Sequence, residues 1–353
     1  MGIGRSGLRP LATHFGTEET RGPTLGGALL KRKDEWLLVH VAPMHTRVYD
    51  AHSTSVPDVE GEGDVDVDGK KFAKGAPFTT FSPGEPYFAV GCQDGTVLVC
   101  ATSGVVHELK GETGANEGDL AISITAMFTS GHKLFAGSCG SCFLWDMISG
   151  EFQQKYQPVG SASVPSTPSS MCVVSQTNDS VESSRLWIGS DDGVVTCFEI
   201  STGEAVCSFS CGSGVVVSLV HFEANTFVFA LSAHKRVSVW DSGTCGFLHK
   251  YPAELIACGG DLSAMSSARE SLLLLAGIDG SLCIRHVSRR ADGKICCFLV
   301  WYVQNTGATP ACPITYISYH LETDSVLLGD AAGSLALMPQ LHAHFPAVTG
   351  GDV

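Results

Sequence analysis

Two cysteines in the segment GSCGSCFLWD, Cys139 and Cys142, have the C-x-x-C spacing that can bind zinc or form a redox dithiol. A tetrahedral zinc site needs two further ligands, and no second C-x-x-C occurs in the chain. Gly140 and Ser141, between the cysteines, instead suit the tight turn of a β-hairpin. The spacing therefore predicts a hairpin, with Cys139 ending one strand and Cys142 beginning the next, and no metal site.

An acidic stretch contains part of a calcium-binding pattern. The sequence DVDVDG, Asp64 to Gly69, matches the first half of a loop that binds Ca²⁺ through carboxylates. The twelfth position of such a loop supplies a bidentate glutamate, but here it is Gly75. We therefore interpret residues 55–71 as an acidic insertion without a calcium site.

Catalytic signatures are missing from the sequence. It contains no G-x-S-x-G, H-E-x-x-H or P-loop motif. Its 13 histidines do not recur at a fixed place in the repeat described below, so no ring of metal ligands is indicated. We expect no enzymatic activity and no cofactor, and a propeller enzyme is kept as a minor alternative.

The first residues, MGIGRS, fit the N-myristoylation pattern M-G-x-x-x-[ST], with Gly2 as the acceptor. One acyl chain anchors a protein only weakly, so peripheral membrane association, as in a trafficking or autophagy factor, is an alternative function. Residues 158–184 are rich in Ser, Thr and Pro, which predicts a loop with Thr167 as a candidate phosphorylation site.

Composition and charge narrow the class of protein. The 353 residues are 44% apolar and carry a net charge of −14, and a chain so acidic is repelled by nucleic-acid phosphates. We find no secretory signal and no uninterrupted apolar run of about 18 residues, so we expect no transmembrane segment. The 14 cysteines are scattered through strand-like runs and are expected to be reduced thiols, in a cytoplasmic protein with a nuclear location left open.

A short phrase recurs seven times, with GTVLVCA, GSCFLWD and GVVTCFE among its copies. The copies start 42 to 53 residues apart, about 48 on average. Apolar residues alternate within each copy, as at Val97 and Val99, which indicates a strand with one buried face. An Asp-Gly turn such as Asp94-Gly95 often precedes it and predicts a hairpin. The third strands of the repeat units are predicted at 45–50, 96–101, 141–146, 194–199, 236–241, 281–286 and 334–339.

Further strand-like runs before and after each copy give four antiparallel strands per unit. One such sheet cannot bury both faces alone, so the units must stack on one another. The prediction is an all-β, seven-bladed β-propeller of four-stranded antiparallel blades over residues 25–341. Residues 1–24 form an N-terminal segment and 342–353 a tail. The last blade can take its fourth strand from LRPLATHF in the N-terminal segment or from QLHAHF near the end.

The chain resembles the WD-repeat β-propeller family. The resemblance is carried by FTTFSPGEPYFAVGCQDGTVLV and by the Trp-Asp pairs at Trp145 and Trp240, which end predicted third strands. The family's Gly-His dipeptide is missing from its usual place well before Trp-Asp, because Gly131-His132 lies only 13 residues before Trp145. The family's buried Asp-His-Ser-Trp network is therefore expected to be absent, and apolar packing to hold the blades. Ile148 and Gly243 stand where cullin-ligase receptors of this family often carry arginine, which disfavours that role.

Membership of such a family implies a non-enzymatic scaffold, a subunit or adaptor that binds other proteins through its loops and the rim of its axial opening. Arg285 and His286 interrupt the usual pattern of a third strand, and Arg289 and Arg290 follow closely. Solvated side chains at a blade edge and a partner-binding site are both consistent with this pattern. We take the four residues as a candidate basic patch that attracts an acidic partner segment.

Overall fold

The computed structural model of the protein is built almost entirely of strands. It describes residues 13–15, 22–32, 35–51, 76–110, 123–158, 166–178, 181–212, 214–222, 226–233, 236–252, 261–269, 271–304 and 312–344. These residues contain strands β1 to β27 and one short 3-10 helix, Leu341–His344. The strands form seven antiparallel sheets, six with four strands and one with three described strands. The all-β, seven-bladed prediction is confirmed.

The sheets, which we number as blades one to seven, follow one another along the chain. Blade one contains β2 (Gly26–Arg32), β3 (Glu35–Ala42) and β4 (His45–Asp50). Blade two contains β5 (Phe78–Ser82), β6 (Phe88–Cys92), β7 (Thr96–Ala101) and β8 (Gly104–Lys110). Blade three contains β9 (Ala126–Ser130), β10 (Lys133–Ser138), β11 (Ser141–Asp146) and β12 (Phe152–Tyr156).

The later blades repeat this order. Blade four contains β13 (Pro168–Asn178), β14 (Val181–Ser190), β15 (Val194–Glu199) and β16 (Ala205–Ser210). Blade five contains β17 (Val216–Phe222), β18 (Phe227–Ser232), β19 (Arg236–Asp241) and β20 (Phe247–Pro252). Blade six contains β21 (Leu262–Ala268), β22 (Leu272–Gly277), β23 (Leu282–Arg289) and β24 (Ile295–Val303). Blade seven contains β25 (Ile314–His320), β26 (Ser325–Asp330), β27 (Leu335–Met338) and β1 (Thr13–Phe15).

The predicted third strands lie where the repeat placed them. Five of the seven have the predicted bounds, whereas β23 runs on to Arg289 and β27 is confined to Leu335–Met338. The glycine of the repeat is needed because the turn before the third strand has positive φ, 70° at Gly140 and 82° at Gly193. At Gly193 a side chain would also collide with the carbonyl oxygen of Gly212.

The first strands of successive blades contact each other around the ring, and β25 of blade seven contacts β2 of blade one. The ring closes through the N-terminal segment, because β1 pairs antiparallel with β27, Thr13 opposite Leu337. Of the two segments that the sequence offered for the fourth strand of the last blade, LRPLATHF in the N-terminal segment is therefore the one that supplies it. Part of the alternative segment, QLHAHF, forms the 3-10 helix instead.

One expectation about loops is wrong. Residues 158–184 were expected to be a loop, but Pro168–Asn178 forms β13 and β14 begins at Val181. The reason is the apolar run inside the Ser/Pro-rich stretch, because Met171, Cys172 and Val174 are all buried. Burying these side chains against the neighbouring blades outweighs the local preference of Ser and Pro for turns.

Apolar packing fills the spaces between neighbouring blades. All six residues of β18, β22 and β26 are buried, while the residues of fourth strands such as β8, β12, β16 and β24 are mostly half-buried or exposed. The two Trp-Asp pairs have the same role in their blades. Trp145 and Trp240 are each 2% exposed, and Asp146 and Asp241 accept backbone hydrogen bonds in the turn that follows.

A hydroxyl on the first strand, or just before it, also links neighbouring blades, which the sequence did not lead us to expect. Thr79 donates to the carbonyl oxygen of Ile124 in the next blade at 2.6 Å. Equivalent bonds across other blade interfaces are Thr125 to Pro168 at 2.6 Å, Ser169 to Val216 at 2.7 Å and Thr315 to Thr24 at 2.8 Å. These four inter-blade hydroxyl bonds add a polar, directional contact to the apolar packing.

Candidate partner-binding surfaces

Turns in each antiparallel blade alternate between the two ends of the ring. The turns between second and third strands lie at one end, which we call the Asp-turn face. There Asp94, Asp192, Asp279 and Asp330 each accept a backbone N–H from within their own turn at 2.8 to 3.1 Å. These aspartates therefore stabilise turns, as expected for Asp in a hairpin.

The opposite face carries ion pairs that join neighbouring blades. Arg289 of blade six contacts Asp241 of blade five at 2.8 Å, and Arg269 of blade six contacts Asp324 of blade seven at 2.8 Å. Burial tends to raise the pKa of Asp241. Hydrogen bonds from Thr244 and Arg289 outweigh this effect, so the pKa lies below its ordinary value. We call this side the ion-pair face.

The candidate basic patch is divided by the structure. Arg285 and His286 are consecutive on β23, so their side chains leave opposite faces of the sheet. Arg285 donates to the carbonyl oxygen of Cys297 at 3.2 Å. Arg289 is engaged by Asp241 and lies over the ring of Phe227, 4.6 Å from its centroid. Arg290 is exposed at the turn after the strand.

Large apolar side chains are exposed next to these basic residues. Phe298 and Leu299 on β24, the outermost strand of blade six, are 56% and 50% exposed. In the sheet register Phe298 lies opposite His286, and Leu299 lies opposite Arg285. We call Arg285, His286, Phe298 and Leu299 the blade-six edge. Paired residues share a face of the sheet, so Leu299 lies beside Arg285 on one face and Phe298 lies beside His286 on the other. Each face of this outer strand pair therefore combines an apolar with a basic side chain.

The axial opening holds a cavity of about 310 Å³ lined by the first strands. Its lining supplies hydroxyls, such as those of Thr80, Ser218 and Ser263, and the thioethers of Met127 and Met171. Tyr316 is the one ionisable side chain in this lining within the described residues. The cavity therefore offers neutral hydrogen-bonding groups and apolar surface.

The C-x-x-C segment forms the predicted hairpin. Cys139 is exposed in the turn, and Cys142 is the buried second residue of β11, opposite Gly137. Burial raises the pKa of the Cys142 thiol well above its ordinary value, which keeps it protonated. All thirteen cysteines in the described ranges are free thiols.

Three other cysteines come together in the fold. Cys197 on β15, Cys207 on β16 and Cys245 after β19 have their sulfur atoms within 4.8 Å of one another. Hydrogen bonding with Cys197 and Cys207, aided by the charge of Arg185, lowers the pKa of Cys245. The sequence carries no C-x-x-C signal here, because the three residues come from two blades. Only pairing between strands and blades reveals this cluster.

Several predicted positions lie outside the described residues, among them Gly2 and the acidic insertion 55–71 with its DVDVDG segment. Thr167 is described, and its backbone N–H donates to the carboxylate of Asp191 at 3.0 Å. Within the described ranges no helix has the length and apolar character needed to cross a membrane.

Comparison with known proteins identifies the fold. No protein-family model and no curated protein matches the sequence. By contrast, 1751 chains of solved structures match the fold, so this architecture is widespread. One is from a structure titled "Crystal Structure of Mitotic Checkpoint Complex", with a TM-score of 0.64 and 11% identity over 86% of this chain and 84% of that one. At this identity the likeness supports a shared propeller fold.

Proposed function

We propose that the protein is a non-enzymatic scaffold that binds partner proteins in a multiprotein complex, with the blade-six edge as a principal contact surface. The observation that carries the proposal is the exposure of Phe298 and Leu299 beside Arg285 and His286. Interface energy concentrates in aromatic and arginine side chains, and exposed apolar groups on a rigid core favour association.

The charge of the protein indicates what the partner carries. The net charge of −14 disfavours nucleic acid. By contrast, the exposed turn at the end of the blade-six edge carries two cations, Arg290 and Lys294, and one acid, Asp292, which contacts Lys294 at 3.7 Å, so this turn is basic on balance. A partner segment with apolar anchors and flanking acidic residues fits this arrangement. The similarity to a component of a checkpoint complex supports a role as a complex subunit. We propose a cytoplasmic location for this role.

The experiment is affinity purification from native cells with quantitative mass spectrometry, comparing the wild type with the double variant Phe298→Ser, Leu299→Ser. A matched control is Val206→Ser, which changes an apolar residue that is 48% exposed on the outer strand of blade four. We expect a defined set of proteins to be lost from the double variant and kept by the control. Equal recovery by all three folded proteins would contradict the proposal.

A second variant tests the charge component. Arg290→Glu with Lys294→Glu reverses the basic turn and leaves the ion pair of Arg289 intact. Recovery of the same partners should fall at low salt and differ less from the wild type at high salt, because salt screens exposed charges. No change at low salt would remove the acidic-segment part of the proposal.

A further inference from the structure

Three sulfur atoms converge at the interface of blades four and five. Cys197 is buried, and Cys207 and Cys245 are half-buried, so the cluster has a dry side and a side near solvent. The Cys197 and Cys245 sulfurs are 4.0 Å apart, and all three lie within 4.8 Å of one another. We call these residues the thiol cluster.

The fold holds each sulfur in place. Cys197 and Cys207 are directly opposite each other in the pairing of β15 with β16. Cys245 has a positive φ of 58° in the turn after β19, where Asp241 accepts the N–H groups of Gly243 and Thr244. A residue with positive φ is rare outside glycine and persists where surrounding contacts impose it. The position of the third sulfur is therefore set by the turn.

Arg185 joins this turn to blade four. Its guanidinium donates to the carbonyl oxygen of Gly243 at 2.7 Å and lies 3.6 Å from the sulfur of Cys245. The contact brings a positive charge to the edge of the thiol cluster. Glu199 lies 4.0 Å from the Nε of Arg185 and takes up part of this charge, so the remainder offsets a fraction of the negative charge that three thiolates would carry.

We propose that the thiol cluster is a binding site for a soft, thiophilic cation, Cu(I), held by Cys197, Cys207 and Cys245 in three-coordinate geometry. Thiolate ligands select Cu(I), zinc and iron–sulfur clusters over hard cations such as Mg²⁺ and Ca²⁺. A cation about 2.3 Å from three sulfurs in one plane separates them by about 4.0 Å, close to the distance between Cys197 and Cys245.

The number of donors favours copper over zinc. Structural zinc takes four protein ligands, and zinc held by three protein ligands needs a water as its fourth. Among the described residues, the group that could hold a metal ion here consists of the three cysteines alone. Binding requires all three sulfurs as thiolates and releases the protons that they still carry, with no change in oxidation state. A disulfide fits the spacing of these sulfur atoms less well, because two bonded sulfurs must approach to about 2.0 Å.

The test is an anaerobic titration of the reduced, full-length protein with Cu(I) supplied as its bicinchoninate complex. We expect one equivalent to transfer to the wild type and the affinity to fall at least about 10-fold in both Cys207→Ser and Cys245→Ser. Cys172→Ser removes a buried thiol of the same blade outside the cluster and is the matched control. X-ray absorption of the loaded protein should show three sulfur neighbours.

Several results would overturn the proposal. These are no transfer of Cu(I) to the wild type, equal affinity in Cys245→Ser, and a copper ion with only two sulfur neighbours. Tight zinc binding without copper binding, or a disulfide formed with peroxide in a protein that takes up no Cu(I), would assign the cluster another role. Thermal unfolding of each apo variant shows whether it is folded. Partner binding at the blade-six edge is measured separately, so the two proposals fail independently.

Discussion

The inter-blade hydroxyl bonds make a quantitative prediction for Thr79→Val. The substitution keeps the β-branched shape and removes the hydroxyl that donates to the carbonyl oxygen of Ile124 at 2.6 Å. The remaining side-chain donor to that oxygen, Ser123, is 3.4 Å away and contributes a weak bond. A hydrogen bond contributes about 0.5–1.5 kcal/mol net, and a partner left unsatisfied adds to the loss. We expect the free energy of unfolding to fall by about 1–2 kcal/mol.

Two related substitutions in the same protein serve as comparisons for Thr79→Val. Thr80→Val is the control, because the Thr80 hydroxyl lines the cavity and makes no hydrogen bond within the described part of the chain. We expect its effect to be close to zero. Thr125→Val removes an equivalent bond at a more exposed position, where water can replace the lost donor. Its effect should lie between those of the other two.

Urea unfolding followed by tryptophan fluorescence measures these differences, with thermal unfolding as a second readout. For a chain of this length a loss of 1 kcal/mol lowers Tm by at most about 2–4 °C. The reasoning is refuted if Thr79→Val is no more destabilising than Thr80→Val. That result would mean that apolar packing alone holds blades two and three together.

Three further predictions concern charged groups. Asp324→Asn should lower the free energy of unfolding by about 2 kcal/mol at pH 7, because Asp324 accepts hydrogen bonds from Arg269 at 2.8 Å and from Tyr319 at 2.7 Å. Asn tolerates the positive φ at this position, so the substitution does not strain the backbone. A loss at pH 2 as large as that at pH 7 would contradict a charge effect. Burial lowers the pKa of His221 to about 4, below its ordinary 6.5, so stability should fall as the pH drops from about 6.5 to 4; urea titrations of His221→Phe should show a flatter profile. Arg289→Ala should cost about 1 kcal/mol in thermal unfolding through loss of the contacts with Asp241 and Phe227, and no loss relative to Arg290→Ala would argue against that pairing.

Local patterns determined the strands and their count. Alternating apolar residues and glycine turns specify the geometry of a strand and a hairpin through neighbouring residues alone, which is why the hairpin at Gly140 and five third strands were predicted with their bounds. The Ser/Pro-rich composition predicted a loop where the structure has β13, because burial between blades decided the conformation of Met171 and Val174.

Only the tertiary structure decided which side chains meet across blades. The basic residues of blade six are close in sequence, yet the alternation of β23 separates Arg285 from His286, and Asp241 of the neighbouring blade engages Arg289. Conversely, Cys197 and Cys245 are 48 residues apart and their sulfurs lie 4.0 Å from each other. A repeat predicts its own strands because neighbouring residues in the sequence carry the strand and turn pattern. Contacts between repeats depend on how the ring packs, and that information is spread over the whole chain.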